Sequence, residues 1–157
     1  MTVGTNENNR NTMDDTKRQE IVDTLLREKC SCVICSGGGA VHKFYGRGVS
    51  DLYRLLATDP QMLDGAFVAD KVVGKGAAAL MVLGRIRELY ADIISSPALL
   101  LLETYGIKVS YRLQVPNIMN RTNTGICPVE TLCLDCRTPD ECLPLIENFI
   151  KTMMPTK

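Results

Sequence analysis

Three residues in this chain have types and settings that could do chemistry. Cys127 follows Thr124-Gly125 and precedes Pro128, Val129 and Glu130. Pro at the first helical position with an acid shortly after it marks a helix start. A thiol at such a start faces free backbone N–H groups and the positive end of the helix dipole, which favour the thiolate. Cys127 is therefore a candidate nucleophile or redox thiol, and the plainer reading is a capping residue beside which Glu130 bonds back to the cap. Lys75 stands between Gly74 and Gly76, one turn into an expected long helix. It could hold an anion at the helix N-terminus, or act as a nucleophile if desolvated. Two glycines there cost a helix about 2 kcal/mol relative to Ala. Close approach of a ligand or a neighbouring loop would offset that cost. Asp70 reads as the N-cap of the same helix, or as a partner for Lys75.

The polar run PNIMNRTNTG, residues 116–125, adds amide and cationic contacts from Asn120, Arg121, Thr124 and Gly125. A polar loop of this length is often functional. The remaining candidates read as structural. Cys127, Cys133, Cys136 and Cys142 contain one C-x-x-C and no second close pair, whereas structural zinc favours two. Cys133 and Cys136 would share one helical face as small buried hydrophobes. Cys30 and Cys32 share one strand face, and Cys35 points the other way. His42 is the single histidine, so a multi-histidine metal site is excluded and no metal or other cofactor is expected.

The 157 residues carry 18 basic and 18 acidic side chains. A formal charge of zero excludes a polybasic grip on nucleic acid and gives no field for anionic membranes. Hydrophobic residues at 45% suffice for one sizeable core. No apolar run approaches the roughly 20 residues of a membrane span. The polar start, residues 1–13, has no apolar signal segment and reads as a disordered tail. The expectation is one cytoplasmic domain over 14–154 with reduced thiols, fraying at 155–157.

The elements that must position these residues follow from periodicity. A helix is expected at 15–29, opened by Asp14 and Asp15. CSCVICS and AVHKFY flank Gly37-Gly38-Gly39 as a β-hairpin. VSDLYRLLA, 49–57, has helical spacing and stops at Asp59-Pro60. AFVA, 66–69, is a buried strand, followed by a long helix at 71–87. A strand at 89–94 leads into a helix at 97–104, begun by Ser96-Pro97 and ended by Gly106. Residues 107–115 alternate as a strand. A helix opens at Cys127-Pro128, and Thr138-Pro139-Asp140-Glu141 caps a last helix near 139–152. This order predicts an α/β fold, three-layer α-β-α, with a mixed sheet of about five strands.

That order resembles the cytidine deaminase-like fold. There, one helix start carries His-x-Glu and the next carries Pro-Cys-x-x-Cys around zinc. Here Val73-Gly74-Lys75 falls at the first motif. Pro97 is retained at the second, with Ala98 and Leu101 at the cysteine positions. The resemblance therefore implies the scaffold without the zinc ligands, and zinc-dependent deamination is not expected. DKVVGKGAAA at 70–79 and VPNIMNRTNTGICPVE at 115–130 resemble more closely an uncharacterised family, the domain of unknown function numbered eighteen ninety-three. That likeness implies a fold and no reaction. Three functions remain open. The first is binding of a small anionic or nucleotide-like ligand by Asp70, Lys75, Asn120, Arg121 and Cys127. The second is an enzyme or redox sensor using Cys127. The third is a non-catalytic module forming a homo-oligomer, such as a homodimer.

Overall fold

A computed structural model describes residues 14–46 and 49–153. The expected tail at 1–13 and the end at 155–157 lie outside these residues. Helix α1 (Asp15–Arg27) starts at Asp14, whose carboxylate accepts the Thr16 N–H at 3.3 Å. Ile21, Val22 and Leu25 form its buried stripe. Strands β1 (Cys32–Cys35) and β2 (Val41–Phe44) form the antiparallel hairpin. Gly39, at φ 99°, turns the chain between them where a side chain would be strained. Helix α2 (Ser50–Thr58) follows, then β3 (Phe67–Val73), α3 (Lys75–Gly84), β4 (Glu88–Ser95) and α4 (Ser96–Thr104). Strand β5 (Lys108–Val115), α5 (Pro128–Cys133) and α6 (Pro139–Met153) complete the fold.

The sheet order is β2-β1-β3-β4-β5. β1 pairs antiparallel with β2 and β3, whereas β3, β4 and β5 run parallel. This is the expected mixed five-stranded α/β arrangement. One sheet face carries a small core of Val33, Cys35, Phe67 and Ala69 under α1. Arg18 on α1 reaches Glu88 on β4 at 2.8 Å. The other face carries the larger core, with Ile34, Val68, Leu89, Ala91 and Ile94 beneath the remaining helices. Small residues let α3 sit at its centre. Ala77, Ala78, Ala79, Leu80 and Met81 are all buried, and α3 contacts α2, α4, α5 and α6. Among the described residues no helix is long and apolar enough to cross a membrane.

Three boundaries differ from expectation. The long helix at 71–87 does not begin at Asp70. Val72 and Val73 continue β3 by pairing with Ile93 and Ile94, so the helix starts at Lys75 and its cap is Gly74. Arg85 in the left-handed region (φ 67°) ends it. Ser95, not Ser96, caps α4, its hydroxyl accepting the Ala98 N–H at 3.3 Å. Helix α5 ends at Cys133, so Cys136 lies in the following turn rather than on a shared helical face.

Candidate functional site

The parallel strands end where α3 and α4 begin, and such strand ends are where α/β folds place their crevices. The first occupant there is the protein itself. Glu130, 1% exposed on α5, accepts the Lys75 N–H at 2.6 Å and the Ser95 hydroxyl at 3.3 Å through Oε1. Its Oε2 accepts the Ile118 N–H at 2.7 Å. A carboxylate thus fills the N-terminus of α3, where the dipole and free N–H groups favour an anion. The expected back-bond from Glu130 to its own cap is not made, because these stronger partners draw it across. The glycines of α3 serve the same approach. A Cβ at Gly74 would stand 2.9 Å from Glu130 Oε1, and one at Gly76 would stand 2.4 Å from Val129 Cγ1. A neighbouring helix and loop, not a ligand, use that space.

Lys75 is placed differently from its sequence reading. Its backbone starts α3, while its side chain crosses to the far end of α5. There Nζ donates to the Leu134 carbonyl at 2.9 Å and the Cys136 carbonyl at 2.6 Å. A cation at the carbonyl end of a helix complements its dipole. Lys75 is 8% exposed and does not line the cavity described next. It is a structural cation, not an anion receptor.

The cavity has a volume of about 370 Å³ and lies between the end of β3, the starts of α2, α3 and α5, and the loop after β5. Asp70, Cys32, Asp51, Cys127 and Arg121 bring polar or reactive groups to its lining. Asp70 is not a helix cap. It sits on β3 opposite Cys32, and its Oδ1 accepts the Val72 N–H at 3.4 Å. Burial pushes its carboxyl up to about 7, against the pull of the Val72 and Lys71 N–H groups. The charge of Asp51 adds to the rise. Burial likewise pushes the Cys32 thiol well above its ordinary value, with Asp70 and Asp51 adding to it. Asp51 itself is tied by the Gly46 N–H and Arg54, both at 2.9 Å. Lys71 spends its ammonium on the Glu28 carbonyl at 3.1 Å. Arg121 is exposed at the rim.

Cys127 lines this cavity, half-buried, at the expected cap position. Its side chain makes no cap bond, and its N–H donates to the Ile118 carbonyl at 2.8 Å. The polar loop splits in its roles. Arg121 reaches the cavity rim. Asn120, Thr124 and Gly125 do not line the cavity and fasten the loop on itself. Asn120 Oδ1 accepts the Thr124 N–H at 3.0 Å, and the Asn120 N–H donates to the Gly125 carbonyl at 2.8 Å. The structure therefore brings Asp70, Gly74, Arg121, Cys127 and Glu130 together at one cavity. Cys32 packs in the larger core, as expected, and also lines the cavity, whereas Asp51 was not among the expected site residues. The only cue for Asp51 was an acid in the first turn of α2. Val73, Ala98 and Leu101, the residues that the deaminase resemblance sets against zinc ligands, are buried and apolar. Among the described residues no group of three or more His, Cys, Asp or Glu is placed to hold a metal ion.

Comparison with known proteins identifies the family and the fold. The model of the family TM1506, described as a domain of unknown function (DUF1893), matches residues 20–150. The crystal structure of a DUF1893 family protein (TM1506) from Thermotoga maritima is similar with a TM-score of 0.79 at 25% identity, covering 87% of this chain and 92% of that one. No curated protein matches. The chain belongs to the DUF1893 family.

Proposed function

From the premise of a DUF1893 chain whose helix N-terminus is closed by its own carboxylate, we propose that it binds a small nucleotide-like molecule in the cavity at the end of β3. The amino-bearing heterocycle lies inward against Asp70, and the anionic group lies outward at Arg121. One observation carries this reading: a buried carboxyl opens on a cavity of about 370 Å³ while bonding backbone N–H groups. That volume falls within the usual range for small-molecule sites, and two carboxylate oxygens have acceptor capacity beyond these backbone bonds. Asp51 strengthens the preference for N–H donors within, and Arg121 is the cation available at the rim. The anion site is thus moved from Lys75 to Arg121.

The hairpin-first mixed sheet, with a helix after each of β3 and β4, supports a cytidine deaminase-like scaffold. Zinc-activated water has no place in the reading, because Val73, Ala98 and Leu101 offer no donor atoms. A second reading, thiol chemistry on the bound molecule, is favoured by the half-buried Cys127 on the same wall.

Thermal shift and calorimetry with cytidine, adenosine and their 5′-monophosphates test the proposal. At least one member should raise Tm, as any ligand of the native state does. Asp70→Asn should abolish the shift for every member. Arg121→Ala should weaken only the phosphorylated ones. No shift across the panel, or a shift that survives Asp70→Asn, overturns the reading.

A further inference from the structure

Beside the cavity lies a second concavity, an apolar groove of about 500 Å³ where the C-terminal ends of β3, β4 and β5 meet the loop after β5. Val72, Ile93, Val115, Met119 and Ile126 form most of its wall, and Asn117 brings the only polar side chain. The helix on this side of β3 stops short of the groove. Lys71 Nζ donates to the carbonyl of Glu28, the C-cap of α1, at 3.1 Å. The next residue, Val72, is 47% exposed although β3 is an inner strand. Met119 is 44% exposed, and Ile126 is exposed as well. Contiguous exposed apolar surface of this kind marks a binding groove.

The groove is built onto the cavity. Val72, Ile118 and Met119 line both, and Arg121 at the cavity rim follows Met119 by two residues. The shared wall is fastened from behind. The Ile118 N–H donates to Glu130 Oε2 at 2.7 Å, the Cys127 N–H donates to the Ile118 carbonyl at 2.8 Å, and Met119 and Ile126 pair as an antiparallel bridge. We propose that the groove takes a linear hydrocarbon chain, the tail of the same molecule whose polar end the cavity holds. Resting on the nucleotide-like reading of the cavity, this narrows the ligand class to a nucleotide-like phosphate that carries an alkyl chain.

The wall selects that occupant. A peptide would bring an N–H and a C=O with every residue, and burying them unpartnered is costly. Asn117 is the one side chain that could answer them. A protein partner, a second copy included, needs roughly 20–30 residues on each side, and the groove offers eight. No charged side chain lines it, so an ionic group gains nothing there. A methylene chain asks for neither donors nor charges. With its phosphate at Arg121, it turns over Met119 and lies along Val72 and Ile93. Met119 is unbranched and polarisable, and so adapts to such a chain. Each methylene buried should tighten binding by up to about fourfold.

Calorimetric titration of the full chain with cytidine and adenosine 5′-monophosphates, and with their butyl, hexyl and octyl phosphoesters, tests this. Affinity should climb with chain length above that of the parent nucleotide, and the heat-capacity change should grow more negative along the series. Ile126→Gln alters an exposed residue that lines the groove and not the cavity. It should remove most of the gain and leave the parents' affinity unchanged. Esters no tighter than their parents, or a gain undiminished in Ile126→Gln, overturn the groove while the cavity reading stands. Silence from parents and esters alike overturns both. If the variant does not fold, the chain-length series on the wild type decides alone.

Discussion

Glu130 and Asp70 are both buried carboxyls near the start of α3, and they are equipped differently. Glu130 has three donors on two oxygens, two of them backbone N–H groups at 2.6 and 2.7 Å. Asp70 is held only by neighbouring backbone N–H groups, that of Val72 at 3.4 Å, with a second carboxylate nearby and an open cavity in front of it. Satisfied buried charge holds structure together, and under-satisfied buried charge is where a ligand or proton can act. The contrast separates the part of this region that builds the fold from the part that is free to bind.

Three substitutions can break or sharpen that contrast. Glu130→Ala should have the largest effect. It strands the Lys75 and Ile118 N–H groups and removes the anion at the α3 N-terminus, at a cost of about 4 kcal/mol. For a chain of this length that lowers Tm by about 10 °C in calorimetry. A loss below about 1 kcal/mol would place Glu130 alongside Asp70 instead.

Asp70→Asn should act in the opposite direction and only at the right pH. The folded carboxyl titrates near 7 against 3.8 when free. Between these values the folded state keeps a proton that the unfolded chain has released. Wild-type stability therefore falls as pH rises through roughly 4 to 7, and the full cost stands above 7. Asparagine avoids it. At pH 8 the variant should be more stable by up to about 4 kcal/mol, taking 1.36 kcal/mol per pKa unit, and near pH 4 the gap should close. Urea titrations at both pH values measure it. Equal stabilities at pH 8 would mean that Asp70 is as well solvated or paired as Glu130.

Cys127→Ser should be the smallest. The thiol is half-buried and makes no cap bond, so the expected change is within about 0.5 kcal/mol. A loss above 2 kcal/mol in the same titration would make Cys127 part of the scaffold rather than of the cavity wall.

Much of this architecture was legible in the chain. Alternation marked β5, Ser-Pro marked the start of α4, and the acidic opening marked α1. The boundary between β3 and α3 was not, because Asp70 before an apolar run resembles a cap. Only the pairing of Val72 and Val73 with Ile93 and Ile94 reveals a strand. The site shows the same division. Cys127 could be placed from its own neighbours. Lys75 and Glu130 could not, since the partners of Lys75 lie 55 to 61 residues away and those of Glu130 lie 12 to 55 away. The acidity of the cavity also stayed hidden, because Asp51 and Asp70 belong to separate elements.

Lys75 touches α5 twice: its N–H meets Glu130 in the first turn, and its ammonium meets the carbonyls of Leu134 and Cys136 past the last. A helix of six residues has too few internal bonds to persist alone. One residue of α3 therefore grips it at both ends like a bracket. The shortest α-helix among the described residues is in effect an outrigger of the deeply buried α3. Prising the cavity open on that side would mean shifting the core along with the wall.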